Sequence, residues 1–402
     1  MVIINDGAKP NAVITRYGVV KVIEVTDIEG RQKFLTNIFS NEVKIGLKIL
    51  DEWGQEKKPP ISLNGTERIM IPDGYVLVFN GDLFDHGPDD IKLAQIFERS
   101  AQYYEQYNQP EKLQIIVGNR DSNKLRLAWE LNQDSVAARI INNDTPSWTP
   151  IQLTFAEHIL ELIYKPEASE NLRVFFRRDL VEKLKSLLPE KLNNLTGDEN
   201  KVQFEQIIKD MVRQNQNKAE LRKLILQCIN NMTVTDRCDN PIGGLAQERK
   251  ELVYLKWMLK NTLGCGYEPL FSGSTFMHRQ RELQEIAYKE DPQKRVTPLD
   301  VLQHFKNAIA ENGIYYNILK RGKIAITIDD TLYIHGGLTP KSTIINGKDY
   351  KDDFYSWLTA INRNFFKSRD EIFNNQFNKK LPVVTNDAIR TGIGNGEADC
   401  LI

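Results

Sequence analysis

One pattern, met three times in the first 121 residues, constrains this chain more than any other: a short β-branched, apolar run that breaks off into polar turn residues. Val19 to Val25 runs into Thr26-Asp27-Ile28-Glu29-Gly30, Tyr75 to Phe79 into Asn80-Gly81-Asp82, and Leu113 to Val117 into Gly118-Asn119. Runs of this length and composition read as buried strands, and the Asp, Asn and Gly behind them supply turns. A helical pattern over Asp90 to Gln106 separates the second run from the third, which predicts strand–helix–strand connections and a mainly parallel sheet. In such sheets ligands bind at the carboxyl ends of the strands, where these carboxylates and this amide fall.

Beyond Ser122 the pattern changes. Leucines and charges recur at helical spacing over Asn171 to Leu192, Lys201 to Ile229 and Glu248 to Thr262, with loop-like breaks at Asn142 to Pro150 and Asp236 to Gly244. Strand character returns at Lys323 to Ile328, turns at Asp329-Asp330, and runs through Thr331 to Ile334 into His335-Gly336-Gly337-Leu338-Thr339-Pro340. The expected organisation is a core built from residues 1–121 and 321–402, carrying a mostly helical insertion or cap over residues 122–320.

Bulk properties narrow the partners. The 402 residues are 41% apolar and 27% charged, which suits a globular chain. With 53 basic against 54 acidic residues, no whole-molecule field attracts nucleic acid or an anionic membrane. No run of about 18 apolar residues predicts a membrane segment, and the start lacks a basic stretch followed by an apolar core. Cys228, Cys238, Cys265 and Cys400 form neither C-x-x-C pairs nor a dense disulfide framework. The expectation is a soluble, cytoplasmic protein in a reducing compartment, with no nucleic acid partner.

Gly81-Asp82-Leu83-Phe84-Asp85-His86-Gly87 and Gly118-Asn119-Arg120-Asp121 resemble two characteristic motifs of the metallophosphoesterase (calcineurin-like) superfamily, G-D-x-x-D-R-G and G-N-H-D/E. Asp27-Ile28-Glu29-Gly30 resembles the superfamily's opening D-x-H-G, and the segment Tyr333 to Pro340 resembles the H-G-G-L-S-P of its phosphoprotein phosphatase branch. The four elements stand in the superfamily's order, each behind a predicted strand. The resemblance implies an α/β fold, a two-sheet sandwich flanked by helices, and two divalent metal ions: Mn²⁺ foremost, with Mg²⁺, Fe or Zn²⁺ as alternatives. By motif position, Asp27 would bind the first metal, Asp82 would bridge both, and Asn119 and His335 would bind the second. Glu29 stands where the family has a metal-binding histidine, and its carboxylate suits hard divalent ions. The implied reaction is hydrolysis of a phosphate ester by a hydroxide held between the metals.

The departures are specific. His86 occupies the family's phosphate-binding arginine position and Arg120 its catalytic histidine position, so the two residue types are exchanged. Arg120 could then clamp ester oxygens and His86 protonate the leaving alkoxide, with Asp85 orienting one of the pair. The bland alternative is a salt bridge between Arg120 and Asp85. Arg126, close behind the Gly-Asn-Arg-Asp motif, is a further substrate-binding candidate. No histidine follows His335 to serve as a last ligand, and Asp349, Asp352, Asp387 and Glu397 are left open for that role, with Arg390 a weak phosphate contact. Ser274 to Leu283 reads as a capped helix with arginines in its first turns, either an anion site or, more plainly, a solvated basic face. His158 and His304, in helix-like apolar surroundings, read as packing residues.

The leading expectation is a phosphomonoesterase of the protein phosphatase type, acting on a phosphorylated substrate such as a phosphoprotein. A phosphodiesterase or nucleotide hydrolase on the same core is one alternative; a pseudophosphatase that holds a phosphorylated partner is another. By analogy, a large insertion in such a core resembles the decoration of proteins that bacteria deliver into host cells.

Overall fold

The computed structural model describes residues 2–3, 12–15, 18–41, 46–58, 60–131, 246–261, 263, 274–338 and 340–374. The chain divides into two compact units, one of Met1–Trp129, Tyr267–Arg295 and Gln303–Ile402, the other of Glu130–Gly266 and Val296–Leu302.

The first unit is mixed α/β. Its strands open with β1 (Val2–Ile3), β2 (Ala12–Thr15) and β3 (Gly18–Val25), followed by helix α1 (Gln32–Asn41). Next come β4 (Lys48–Leu50), β5 (Arg68–Met70), β6 (Tyr75–Asn80), α2 (Asp90–Gln106) and β7 (Leu113–Ile116). One five-stranded sheet runs in the order β1-β3-β6-β7, with β2 also paired to β3. The central pairs β3·β6 and β6·β7 are parallel, while β1 and β2 lie antiparallel to β3. Val25 pairs with Phe79 and Phe79 with Ile115, so the three strands end close to register and their loops emerge along one edge.

Side chains of β6 alternate as the pleat demands. Phe79 packs on Phe97 of α2 with ring centroids 4.6 Å apart. Val76 and Val78 join Ile116, Ile326, Ile328 and Tyr333 in a buried cluster. The last three belong to a hairpin, β8 (Ala325–Ile328) and β9 (Thr331–Ile334). Backbone bonds from Val117 N to the Lys323 carbonyl and from Lys323 N to the Ile115 carbonyl tie its approach to β7. This connection carries His335, which follows β9, to the edge where the sheet loops emerge.

Two short helices follow β7, α3 (Asn119–Ser122) and α4 (Leu125–Glu130). The described part of the expected insertion is helical: α5 (Ala246–Asn261), α6 (Thr275–Glu290), α7 (Pro298–Ile309) and α8 (Ile314–Arg321). Of these, α6 and α8 fall in the first unit and α5 in the second. In α5, Leu252, Val253, Tyr254, Leu255, Trp257, Met258 and Leu259 are all buried, the signature of a helix covered on most sides. The chain continues past the hairpin through β10 (Ile344–Ile345) and β11 (Lys348–Asp349) to α9 (Phe354–Phe373), a helix capped by the Asp353 carboxylate. Among the described residues no helix is long and apolar enough to cross a membrane. The helical stretches expected at Asn171 to Leu192 and Lys201 to Ile229, the loops at Asn142 to Pro150 and Asp236 to Gly244, His158, the four cysteines, Asp387, Arg390 and Glu397 lie outside the described residues.

Candidate metal centre

The loops behind β3 and β6 adopt a costly backbone. Nine non-glycine residues among those described have φ in the left-handed region, and Asp27 (54°), Glu29 (47°), Asp82 (57°), Asp85 (79°) and His86 (57°) are five of them. Each such residue costs on the order of 1–3 kcal/mol and persists only where surrounding contacts fix it. Here the two loops are stitched together. Asp27 N donates to the Gly81 carbonyl, Glu29 N to that of Asp82, Gly30 N to that of Leu83, and Gly87 N returns to that of Glu29. Gly87 N also donates to the Asp85 carbonyl, closing a three-residue turn around His86 of the strained, positive-φ kind. Gly30 is required, since a Cβ there would stand 2.1 Å from the Asp90 carboxylate.

Asp121 binds the third loop to the second. Its buried carboxylate accepts from Gly118 N, Asp82 N and Leu83 N. Burial, reinforced by the charge of Asp82, raises its pKa to about 6. Gly118 and Gly81 keep the space inside these loops open: a Cβ at Gly118 would meet Asp82 Oδ1 at 2.2 Å, and one at Gly81 would meet His335 Nδ1 at 2.5 Å.

Inside these loops Asp27, Asp82 and His335 come together, one ligand atom of each lying within 4.8 Å of the others. Such a group can hold a metal ion, and the surrounding hydrogen bonds suit that use. His335 Nδ1 donates to the Asn80 carbonyl at 2.7 Å, which fixes the ring and turns Nε2 toward Asp82 Oδ1, 3.4 Å away. Burial disfavours a charged His335, but the hydrogen bond and charge of Asp82 overcome it and lift its pKa to about 9. Burial likewise opposes ionisation of Asp82, yet His335 and Arg120 hold its carboxyl below the usual range. The position therefore favours positive charge, a proton on Nε2 or a cation that displaces it. Asn119 is exposed, and its amide faces the same pair: its oxygen lies 3.3 Å from His335 Nε2, or, with the amide turned over, its nitrogen donates to Asp82 at 3.2 Å.

The other expected residues sit around this group. Glu29 is outside it, one carboxylate oxygen accepting from Arg120 Nε at 3.1 Å and the other engaged by Arg31. Burial nonetheless raises the Glu29 pKa against the pull of both arginines. Arg120 Nε also stands 3.4 Å from Asp82 Oδ2, and its backbone N donates to Asp82 Oδ1. The partner of Asp85 is Lys124, not Arg120: the two side chains are fully buried and 2.5 Å apart, and Lys124 also donates to the Arg120 carbonyl. His86 is buried. Arg126 is half-buried in α4. Asp349 accepts from the Thr343 hydroxyl and from Lys351 N and is not part of the Asp27–Asp82–His335 group.

Behind the Asp85–Asp90 loop lies a second cluster. Ser274 caps α6 as expected, accepting from Met277 N, but Arg279 is neither solvated nor an open anion site. It is buried, donating to Asp90 at 2.6 Å, to the Tyr315 hydroxyl at 2.8 Å and to His304 Nε2 at 3.0 Å. Asp90 in turn accepts from Asp85 N, and Glu282 caps the start of α2 by accepting from Ile91 N and Lys92 N. Lys124, Asp121 and Arg279 were not apparent as site partners in the sequence. Each sits in a locally polar stretch that gives no hint of its pairing, and Lys124 and Arg279 meet carboxylates 39 and 189 residues away in the sequence. No protein-family model, no curated protein and no solved structure matches this chain.

Proposed function

We propose that this protein is a metal-dependent phosphohydrolase acting on a phosphomonoester, with phosphoproteins as the substrate class. The observation that carries the reading is the convergence of His335 with Asp27 and Asp82, which lie on glycine-lined loops at the carboxyl ends of parallel strands. Two carboxylates and an imidazole, with an amide beside them, suit Mn²⁺ and also accept Mg²⁺, Fe or Zn²⁺. A divalent ion held by Asp27, Asp82 and His335 would supply Lewis acidity toward a phosphoryl oxygen and a water of lowered pKa.

The chain's own residues do the rest. Asp121 and the inter-loop backbone bonds hold the loops in geometry they would not adopt alone. Arg120 brings a permanent positive charge beside Asp82, placed to bind the phosphate ester and the charge that builds on its oxygens. His86, fixed in its tight turn, is the candidate proton donor to the leaving alkoxide. Asp85 is held by Lys124, so its part is to position the loop that carries His86.

A second reading, a module that binds a phosphorylated partner without cutting it, draws on the engagement of Glu29 by two arginines. Metal-stripped protein reloaded with Mn²⁺ and offered nitrophenyl phosphate, bis-nitrophenyl phosphate and a phosphopeptide separates the readings. Preferential turnover of the monoester supports the proposal. Preferential turnover of the diester moves it to a phosphodiesterase. Metal-independent phosphopeptide binding with no turnover moves it to the binding module.

A further inference from the structure

We infer that this centre takes one divalent cation rather than two, and that Arg120 fills the place beside Asp82 that a second ion would need. The inference rests on the group above being the reaction centre. Ligand atoms of one ion stand at about 2.0–2.5 Å from it, so three atoms within 4.8 Å of one another are close to what a single ion gathers. A second ion would have to be shared with Asp82 and take Glu29 as its own ligand. Both Glu29 oxygens are already engaged by guanidinium groups, Arg120 Nε on one and Arg31 on the other.

Arg120 is also anchored from two directions, its Nε 3.4 Å from Asp82 Oδ2 and its backbone N bonded to Asp82 Oδ1. A guanidinium does not give up its proton, so it cannot step aside electrically for a metal as a histidine would. A second dication would sit against a fixed positive charge, beside a Glu29 carboxylate whose two oxygens are already taken. The ester would then lie between the ion on the His335 side and Arg120 on the Glu29 side.

The test is metal content, read without reference to turnover. Metal-stripped full-length protein is dialysed to equilibrium against rising Mn²⁺, bound metal per chain is counted, and the manganese EPR spectrum is recorded. The expected result is saturation at one Mn²⁺ per chain with the spectrum of an isolated ion, and at least about a tenfold weaker affinity in His335→Ala. The double change Glu29→His with Arg120→His, shown to be folded by circular dichroism, should admit a second ion and give the spectrum of a coupled pair. Two ions in the unaltered protein overturn the single-ion inference; with nitrophenyl phosphate turnover they leave the phosphohydrolase reading standing. No bound ion and no turnover overturn both.

Discussion

The first unit holds two clusters of charged residues built from the same kinds of side chain, and their central carboxylates shift in opposite directions. Around Arg279, the arginine, Asp90 and Glu282 are each 1% exposed, and burial pushes the carboxyls up to about 6 and about 7. At the strand ends, Asp82 is held below the usual carboxylate range, and its neighbours Asp27 and His335 keep some access to solvent. The first cluster brings its own cation and closes around it, as a buried structural ion pair does. The second keeps an open side and a histidine that takes up positive charge, which is what a site for an outside cation requires. Under the proposed function, what separates the two is which cluster is complete without a ligand, not how many charges it contains.

The strongest way to break this contrast is Arg279→Leu. It leaves Asp90 and Glu282 buried without their counter-charge, and a loss of about 3–5 kcal/mol in denaturant unfolding is expected. Adding Asp90→Asn to that variant should recover part of it. A loss under about 1 kcal/mol would mean that water reaches the cluster and that the two sites do not differ as described.

A smaller effect follows from His304, which is kept neutral by burial and by Arg279, its pKa lowered from 6.5 to about 3. Below 6.5 the unfolded chain takes up a proton that the folded chain refuses, so this contribution to stability is present above pH 6.5 and is lost as pH falls toward 3. Asp90 and Glu282 act in the opposite sense, because their raised values favour protonation in the folded state. Comparison with His304→Gln isolates the histidine. Between pH 6 and 4 the unaltered protein should lose about 1.4 kcal/mol per pH unit more than the variant. Parallel stability curves would contradict the buried, neutral assignment.

The smallest effect sharpens the description of the open cluster. If His86 donates the leaving-group proton, His86→Ala should slow hydrolysis of an alkyl phosphate about tenfold more than that of nitrophenyl phosphate, whose leaving group needs little help. Equal losses on both would remove His86 from the proton path and leave it a loop-shaping residue.

The open cluster was largely legible in the sequence because strand ends write themselves locally. The apolar runs Val19 to Val25, Tyr75 to Phe79 and Leu113 to Val117 match β3, β6 and β7 to within a residue or two, and the hairpin before His335 appears as expected. Once the strands are parallel and nearly in register, Asp27, Asp82 and Asn119 must share an edge. The closed cluster was not legible. Arg279 reads as one more arginine at a helix start, and nothing within its own helix says that Asp90, 189 residues earlier, lies 2.6 Å away. The same holds for Lys124, whose pairing with Asp85 stands in place of the Arg120–Asp85 salt bridge that is the alternative reading of the sequence. Glu29 falls between these cases: its place beside Asp27 and Asp82 follows from the chain, but its capture by Arg31 and Arg120 depends on how two loops meet. Periodicity reports which face of an element is buried, and only tertiary packing decides which charges meet there.

The most direct test of the central claim is nitrophenyl phosphate turnover by metal-stripped protein titrated with Mn²⁺, Mg²⁺ and Zn²⁺, beside an Asp82→Asn variant of unchanged fold. Activity that rises with metal and falls to background in Asp82→Asn is the predicted result. Folded protein that stays silent with every metal, or metal-dependent turnover that survives Asp82→Asn, would contradict it.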